Sequence, residues 1–171
     1  SEVEEILERI ERLIRDDNRK LKDVERRNRE NIKEDNERLK RMMEELKKIA
    51  DEIRKADVDK DTLEKLLRDL RRKVEKIKRD NERHNDEDRK TLKRIHEDNK
   101  RILEEIKDRI DKAPVDDSIR RTVEKLLEDN RRRNEEILKE SEDLLRKNRE
   151  KTKEIVERAE RLLDKLRRER K

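Results

Sequence analysis

The sequence predicts an all-α fold, a single-chain up-down-up three-helix bundle of long, nearly straight helices. Charged residues make up 61% of the chain, while glycine and aromatic residues are absent and there is one proline. The apolar residues, 27% of the total, recur at the i, i+3, i+4 and i+7 positions that form one face of an α-helix. High charge alone would favour disorder, but sustained helical periodicity with almost no helix breakers is typical of long helices.

Two short interruptions divide the periodic pattern into three parts. The segment 55–59 reads Lys-Ala-Asp-Val-Asp, and the segment 112–116 reads Lys-Ala-Pro-Val-Asp. Each ends in an aspartate, Asp59 or Asp116, placed to accept the free backbone N–H groups of the next helix as an N-cap. Pro114 prevents the second helix from continuing. Ser1, followed three residues later by Glu4, resembles a capping box at the start of the first helix.

These boundaries predict one domain over 1–171 with helices near 2–55, 60–112 and 117–170. Each helix would be about 80 Å long, and loops this short require neighbouring helices to be antiparallel. The apolar stripe of the first helix consists of two lines of residues. One line keeps a spacing of seven residues throughout, whereas the other is displaced by one heptad position in the later part of the helix. The period therefore lies between 3.5 and 3.6, and we expect little supercoiling. No helix carries a second apolar stripe, so we expect a closed monomer without an exposed apolar face.

The charge pattern indicates a solvated surface. The net charge of +5 is the difference between 55 basic and 50 acidic residues, and pairs such as Glu5/Arg9 and Glu8/Arg12 have the favourable i,i+4 order. Basic residues are not gathered on one face and no aromatic side chain is available to stack on bases, so we expect no nucleic-acid partner. The chain has no cysteine, no signal-peptide pattern and no apolar run that could span a membrane. We expect a soluble protein of unknown localisation.

Uncharged polar residues interrupt the apolar stripes in the central half of each helix. Antiparallel pairing predicts that residues of the first two helices meet where their numbers sum to about 115, and those of the last two where they sum to about 229. With these sums the polar residues, together with Asp35 and Asp88, fall into three cross-helix layers. Layer A contains Asn18, His96, Asn99, Asn130 and Asn134. Layer B contains Asn28, Asp88, Thr91 and Ser141. Layer C contains Asn31, Asp35, Asn36, Asn81, His84, Asn85, Asn148 and Thr152.

Hydrogen bonding explains why such residues would share a height. A buried asparagine has two donors and two acceptor sites, so a single partner does not satisfy it. Three helices that each supply a polar group at one level can satisfy one another, and a helix shifted by one turn would face these groups with leucine or isoleucine. We therefore predict that the layers specify helix register. For Asn18, Asn85 and His96, a boundary position in contact with water is an equal alternative.

No constellation points to catalysis or to a cofactor. His84 and Asp88 have the i,i+4 spacing of two metal ligands on one helix face, but neither histidine belongs to a Glu-x-x-His pair. Ser141 has no glycine-rich turn that would build an oxyanion hole, and a packed three-helix core offers no sizeable pocket. We expect no catalytic residues, no metal site and no cofactor. A pH response of His84 and His96 is a weaker alternative.

Taken together, the chain resembles de novo designed helical bundles with buried hydrogen-bond networks. The resemblance covers all 171 residues and is carried by equal-length helices, near-duplicate loops, a Leu/Ile/Val core, a Glu/Lys/Arg/Asp surface and confined polar layers. Natural three-helix rods such as spectrin-like repeats normally have aromatic residues, glutamine and shorter helices. The resemblance implies a structural scaffold with no natural activity and no partner. The alternative that it implies is a subunit or cage of a designed assembly that binds a partner helix or self-associates.

Overall fold

The computed structural model describes residues 2–169, with side chains described from Glu4 to Glu169. Within this range there are three α-helices, α1 (Glu2–Lys55), α2 (Lys60–Lys112) and α3 (Asp117–Glu169), and no β-strand. The predicted all-α class and the three-helix architecture are therefore confirmed. The predicted Ser1 capping box and the predicted end of the third helix at position 170 lie outside the described residues.

The two loops form as the sequence predicted. The backbone N–H of Thr62 donates to Asp59 Oδ1 at 2.7 Å, and that of Ile119 donates to Asp116 Oδ1 at 2.9 Å. These are N-cap bonds, and they satisfy N–H groups that the first turn of a helix leaves free. No described residue has a positive φ angle, so both loops reverse the chain without the left-handed conformation that favours glycine.

The fold divides into two compact units, and each contains part of all three helices. Unit 1 comprises Ser1–Arg29 and Asp88–Leu144, and unit 2 comprises Glu30–Glu87 and Leu145–Lys171. Layers A and B belong to unit 1, and layer C belongs to unit 2.

Unit 2 is built around one continuous apolar cluster. The end of α1, the beginning of α2 and the end of α3 supply its buried side chains, which are Leu39, Met42, Leu46, Ala50, Ile53, Leu63, Leu67, Leu70, Val74, Val156, Ala159, Leu163 and Leu166. Interhelical ion pairs of Arg54 with Glu169 and of Arg71 with Asp164 lie at its surface. In this unit α2 therefore runs antiparallel to both α1 and α3, as the short loops require.

Unit 1 has a smaller apolar cluster near the loop between α2 and α3. Its buried members are Ile10, Leu103, Ile106, Ile110, Val123 and Leu127. Leu7, Ile14, Ile102, Val115 and Ile119 pack against them as partly buried residues. Further along the unit Leu21, Val24, Leu92 and Ile137 are also buried, but they do not join this cluster because polar residues lie between them and it.

Candidate functional site

The polar layers are the part of the molecule that sequence reasoning selected, and the structure places every one of their residues away from full exposure. The buried members are Asn28, Asp35, Asn81, Asn85, Asn99, Asn130, Asn134, Ser141, Asn148 and Thr152. The half-buried members are Asn18, Asn31, Asn36, His84, Asp88, Thr91 and His96. Asn85 is buried, whereas Asn18 and His96 occupy the boundary position that was the alternative for all three.

Layer C contains direct contacts between helices. His84 Nδ1 lies 3.2 Å from the carboxylate oxygen Oδ1 of the buried Asp35, which joins α2 to α1. Asn85 Nδ2 donates to the backbone carbonyl oxygen of Leu145 at 2.8 Å, which joins α2 to α3. The Asn85–Leu145 pair lies within one residue of the register predicted for these two helices.

Most of the other layer side chains do not bond to one another as the sequence analysis expected. Among the described residues, both amide atoms of Asn81, Asn99, Asn130 and Asn134 are buried without a hydrogen-bond partner. The expectation of mutually satisfied layers is therefore wrong for these four residues. Register sets only the height of a side chain, whereas a hydrogen bond also requires its donor and acceptor to lie within about 3.2 Å of each other.

Layer B shows the same difference between height and contact. Asn28 and Ser141 are both buried, yet Asn28 Nδ2 and Ser141 Oγ have no hydrogen-bond partner among the described residues. Thr91 is half-buried on α2. The layer therefore places polar groups of all three helices inside unit 1 without a hydrogen bond between Asn28 and Ser141.

Asp17 is a buried polar residue that the sequence analysis did not select. Its side chain is buried, and its Oδ2 has no hydrogen-bond partner. Burial raises the pKa of Asp17 above its ordinary value, Lys20 opposes this shift, and the neighbouring Asp16 adds to it. The signal was available in the sequence, because Asp17 stands seven residues from both Ile10 and Val24 and so interrupts a line of core positions.

The surface of the bundle contains grooves, which corrects the expectation that the fold offers no sizeable pocket. In unit 1 a groove of about 590 Å³ between α2 and α3 reaches His96, Asn99 and Asn134 of layer A. In unit 2 a groove of about 600 Å³ lies between α1 and α2, and one of about 250 Å³ lies between α2 and α3. The prediction failed because close packing of a core does not fill the furrows between neighbouring helices.

A second correction concerns the apolar surface. Ile6 is 36% exposed and Leu13 is 44% exposed, and both lie on α1 in unit 1. Their spacing of seven places them on the same side of the helix. Part of the apolar stripe of α1 is therefore exposed, which corrects the expectation that the bundle has no exposed apolar face.

The side chains present limit the chemistry of the described region. The part of the chain that the structure describes contains no group of three or more His, Cys, Asp or Glu side chains arranged to hold a metal ion. The His84–Asp35 contact supplies two such groups. Over residues 2–169, none of the helices combines the length and the apolar character needed to cross a membrane.

Comparisons with known proteins were made by sequence and by structure. No protein-family model matches the chain, and no curated protein matches it. The chain is similar to a solved structure described as a computationally designed three-helix bundle. The two share 21% sequence identity, the alignment covers 99% of this chain and 87% of the other, and the TM-score is 0.44.

Proposed function

We propose that this chain is a designed structural scaffold without catalytic activity, and that its polar layers specify the register of the three helices. The observation that supports the proposal is the burial of polar side chains on all three helices, together with the shared grooves that Asn99 and Asn134, and Asn81 and Asn148, line. Because an unpartnered buried amide costs about 1–3 kcal/mol, such residues weaken a core, and their regular placement at core positions needs another reason. Specification of one arrangement among many is a documented use of buried polar residues.

Specification acts through a free-energy difference between arrangements of the helices. In the native register Asn81 and Asn148 line the same groove between α2 and α3. A helix shifted by one turn would separate these two residues and place leucine or isoleucine against them. Alternative registers and oligomers are therefore destabilised more than the native arrangement.

The test replaces one core asparagine on each helix in a triple variant, Asn28→Leu, Asn81→Leu and Asn148→Leu. We expect an equal or higher melting temperature, because buried amides are replaced by apolar side chains, together with a mixture of association states. Light scattering coupled to size-exclusion chromatography measures the mass, which is 21.3 kDa for one chain.

The matched control places the same three leucines at the exposed positions Lys22, Lys76 and Lys147 on the same helices. It separates loss of register specification from a general increase in apolar content. Strong destabilisation of the core triple variant with one unchanged mass would refute the proposal. A mixture of masses in the surface control would also count against it.

A second candidate is a subunit that binds a partner helix, and the exposure of Ile6 and Leu13 is the observation in its favour. Two side chains with less than half of their surfaces exposed form a small patch compared with the roughly 800 Å² per partner of a standard interface. For this reason we place the scaffold first. The same mass measurement on the unmodified chain separates the two, because a dimeric or trimeric mass would favour the subunit.

A further inference from the structure

The groove between α2 and α3 in unit 1 has the size of a small-molecule site. Its volume of about 590 Å³ falls in the range of about 300–1,000 Å³ that is typical of ligand pockets. We call it the layer A groove, because Asn99, Asn134 and His96 of layer A reach it.

The polar part of the layer A groove consists of unpartnered amides. Asn99 is 3% exposed and Asn134 is 2% exposed, and neither the amide nitrogen nor the amide oxygen of either residue has a hydrogen-bond partner. Nδ1 of His96 is also buried and unpartnered. Unpartnered donors and acceptors therefore belong to residues that line this groove, and a molecule that provides both would relieve the cost of leaving their hydrogen bonds unmade.

The apolar part of the same groove consists of Leu103 and Leu127, which are both buried members of the unit 1 cluster. A ligand that contacts the amides can therefore also place an apolar body against leucine. Arg131 at the rim donates to Glu128 and Glu135. The lining as a whole contains three cationic side chains, Lys100, Lys107 and Arg131, and four carboxylates, Glu104, Glu124, Glu128 and Glu135. Because the carboxylates outnumber the cations, the groove does not select for an anion.

We propose that the layer A groove binds small neutral molecules that join a carboxamide-like edge to an apolar ring. The carboxamide pairs with Asn99 and Asn134, since its N–H group donates to an amide oxygen and its carbonyl oxygen accepts from an amide N–H. The ring lies against Leu103 and Leu127. This site goes beyond the scaffold role and does not depend on whether the layers specify register.

Each of the two grooves of unit 2 lacks one of the two kinds of surface that the layer A groove has. The α2–α3 groove of unit 2 also reaches buried amides, those of Asn81 and Asn148, but it has about 250 Å³ and no leucine in its lining. The α1–α2 groove of unit 2 has about 600 Å³ and apolar residues such as Met42 and Ile77, but no asparagine lines it. The layer A groove combines both kinds of surface.

The experiment titrates benzamide into the full ¹⁵N-labelled chain and follows the asparagine side-chain NH₂ signals by NMR. For a ligand of this size we expect saturable binding in the millimolar range, with the largest shifts at Asn99 and Asn134. In the Asn99→Leu variant we expect binding about 2–10-fold weaker, the effect of one neutral hydrogen bond. The control variant Lys76→Leu, at an exposed position of the α1–α2 groove of unit 2, should bind as the unmodified chain does. Circular dichroism checks that both variants are folded.

Two further probes test the chemical class. Toluene lacks the amide edge and benzoate lacks the N–H donor, so both should bind the layer A groove more weakly than benzamide. The proposal is overturned if benzamide gives no saturable shift at Asn99 and Asn134, or if Asn99→Leu binds it unchanged. Equal binding of toluene or of benzoate at this groove would also overturn it.

Discussion

The two units are built from the same three helices and the same surface chemistry, but their interiors differ. Unit 2 contains thirteen buried apolar side chains in one cluster, whereas the cluster of unit 1 contains six. In unit 2 the polar layer has two hydrogen bonds between helices. Among the described residues, both amide atoms are buried without a hydrogen-bond partner in three asparagines of unit 1, Asn99, Asn130 and Asn134, and in one of unit 2, Asn81. Helical periodicity therefore fixes which positions face inward, and the content of those positions determines how well an interior is packed.

Polar layers change apolar packing as well as hydrogen bonding. Leu21 and Leu92 are fully buried in unit 1, yet neither belongs to its apolar cluster, because layer A lies between them and it. Buried apolar area stabilises a fold by about 25 cal/mol per Å² wherever it lies. A divided core, however, offers fewer close contacts between its members. We therefore expect unit 1 to be the less stable unit.

The largest expected difference between the units comes from removing a core leucine. Leu163→Ala in unit 2 should lower the free energy of unfolding by about 3–5 kcal/mol, because Leu163 is fully buried within the larger cluster and leaves a cavity. Leu103→Ala in unit 1 should cost about 2–3 kcal/mol, because Leu103 borders the layer A groove and belongs to the smaller cluster. Urea unfolding followed by circular dichroism measures both.

The two alanine variants test whether the two units differ in packing. Equal losses would mean that unit 1 is packed as tightly as unit 2. Native-state hydrogen exchange offers an independent check, since a less stable region opens more often. If unit 1 is the less stable unit, the backbone amides of residues 88–112 in unit 1 should exchange faster than those of residues 60–74 in unit 2.

A smaller difference is expected from removing a buried amide. Asn134→Leu should raise the free energy of unfolding by about 1–2 kcal/mol, because an unpartnered amide is replaced by an apolar side chain. Asn85→Leu should change it by less than about 0.5 kcal/mol, because its apolar gain is offset by the lost hydrogen bond to Leu145. Thermal unfolding of the two variants compares them directly. A larger gain for Asn85→Leu would show that the hydrogen bonds of layer C do not stabilise unit 2.

The sequence was sufficient to predict the fold for local reasons. Asp59 and Asp116 are read as N-caps from the four or five residues around them, and the structure shows both bonds. The apolar residues recur with the period of an α-helix, 3.6 residues per turn. This pattern alone identified the three helices, of which the first is Glu2–Lys55 and the last is Asp117–Glu169. Each of these signals acts within one helix or one loop, so no information about neighbouring helices was required.

The candidate site depended on distances between helices, and the sequence gives these only in part. The height of Asn85 relative to α3 followed from loop geometry, but its acceptor is a backbone carbonyl that no sequence pattern marks. Leu13 belongs to the apolar stripe of α1, yet it is 44% exposed, and the periodicity of one helix does not specify which part of its stripe the other helices cover. Asp17 was missed for another reason, since a charged residue in a chain that is 61% charged is easily assigned to the surface.

Asp17 provides the smallest expected effect, and its dependence on pH gives the sharpest test of the unpartnered groups in unit 1. Burial raises the pKa of this carboxyl above its ordinary value of 3.8, so the folded chain holds a proton that the unfolded chain releases more readily. The contribution of Asp17 to stability is therefore most favourable below pH 3.8, decreases as the pH rises through the folded-state pKa, and stays unfavourable at neutral pH. Asp17→Asn should accordingly stabilise the chain at pH 7, and this gain should shrink as the pH falls towards 4.

Other carboxyls have the opposite sign, so the pH test needs a difference between variants. Hydrogen bonds from Arg131 and Arg54 lower the pKa of Glu128 and of Glu169, and their contributions are lost as the pH falls through those lowered values. Subtracting the unmodified chain from Asp17→Asn at each pH cancels them, and Asp86→Asn at an exposed position serves as the control. A stability difference for Asp17→Asn that stays constant from pH 7 to pH 4 would show that the Asp17 carboxylate is as well solvated in unit 1 as in the unfolded chain, and that the interior of unit 1 is less closed than its burial indicates.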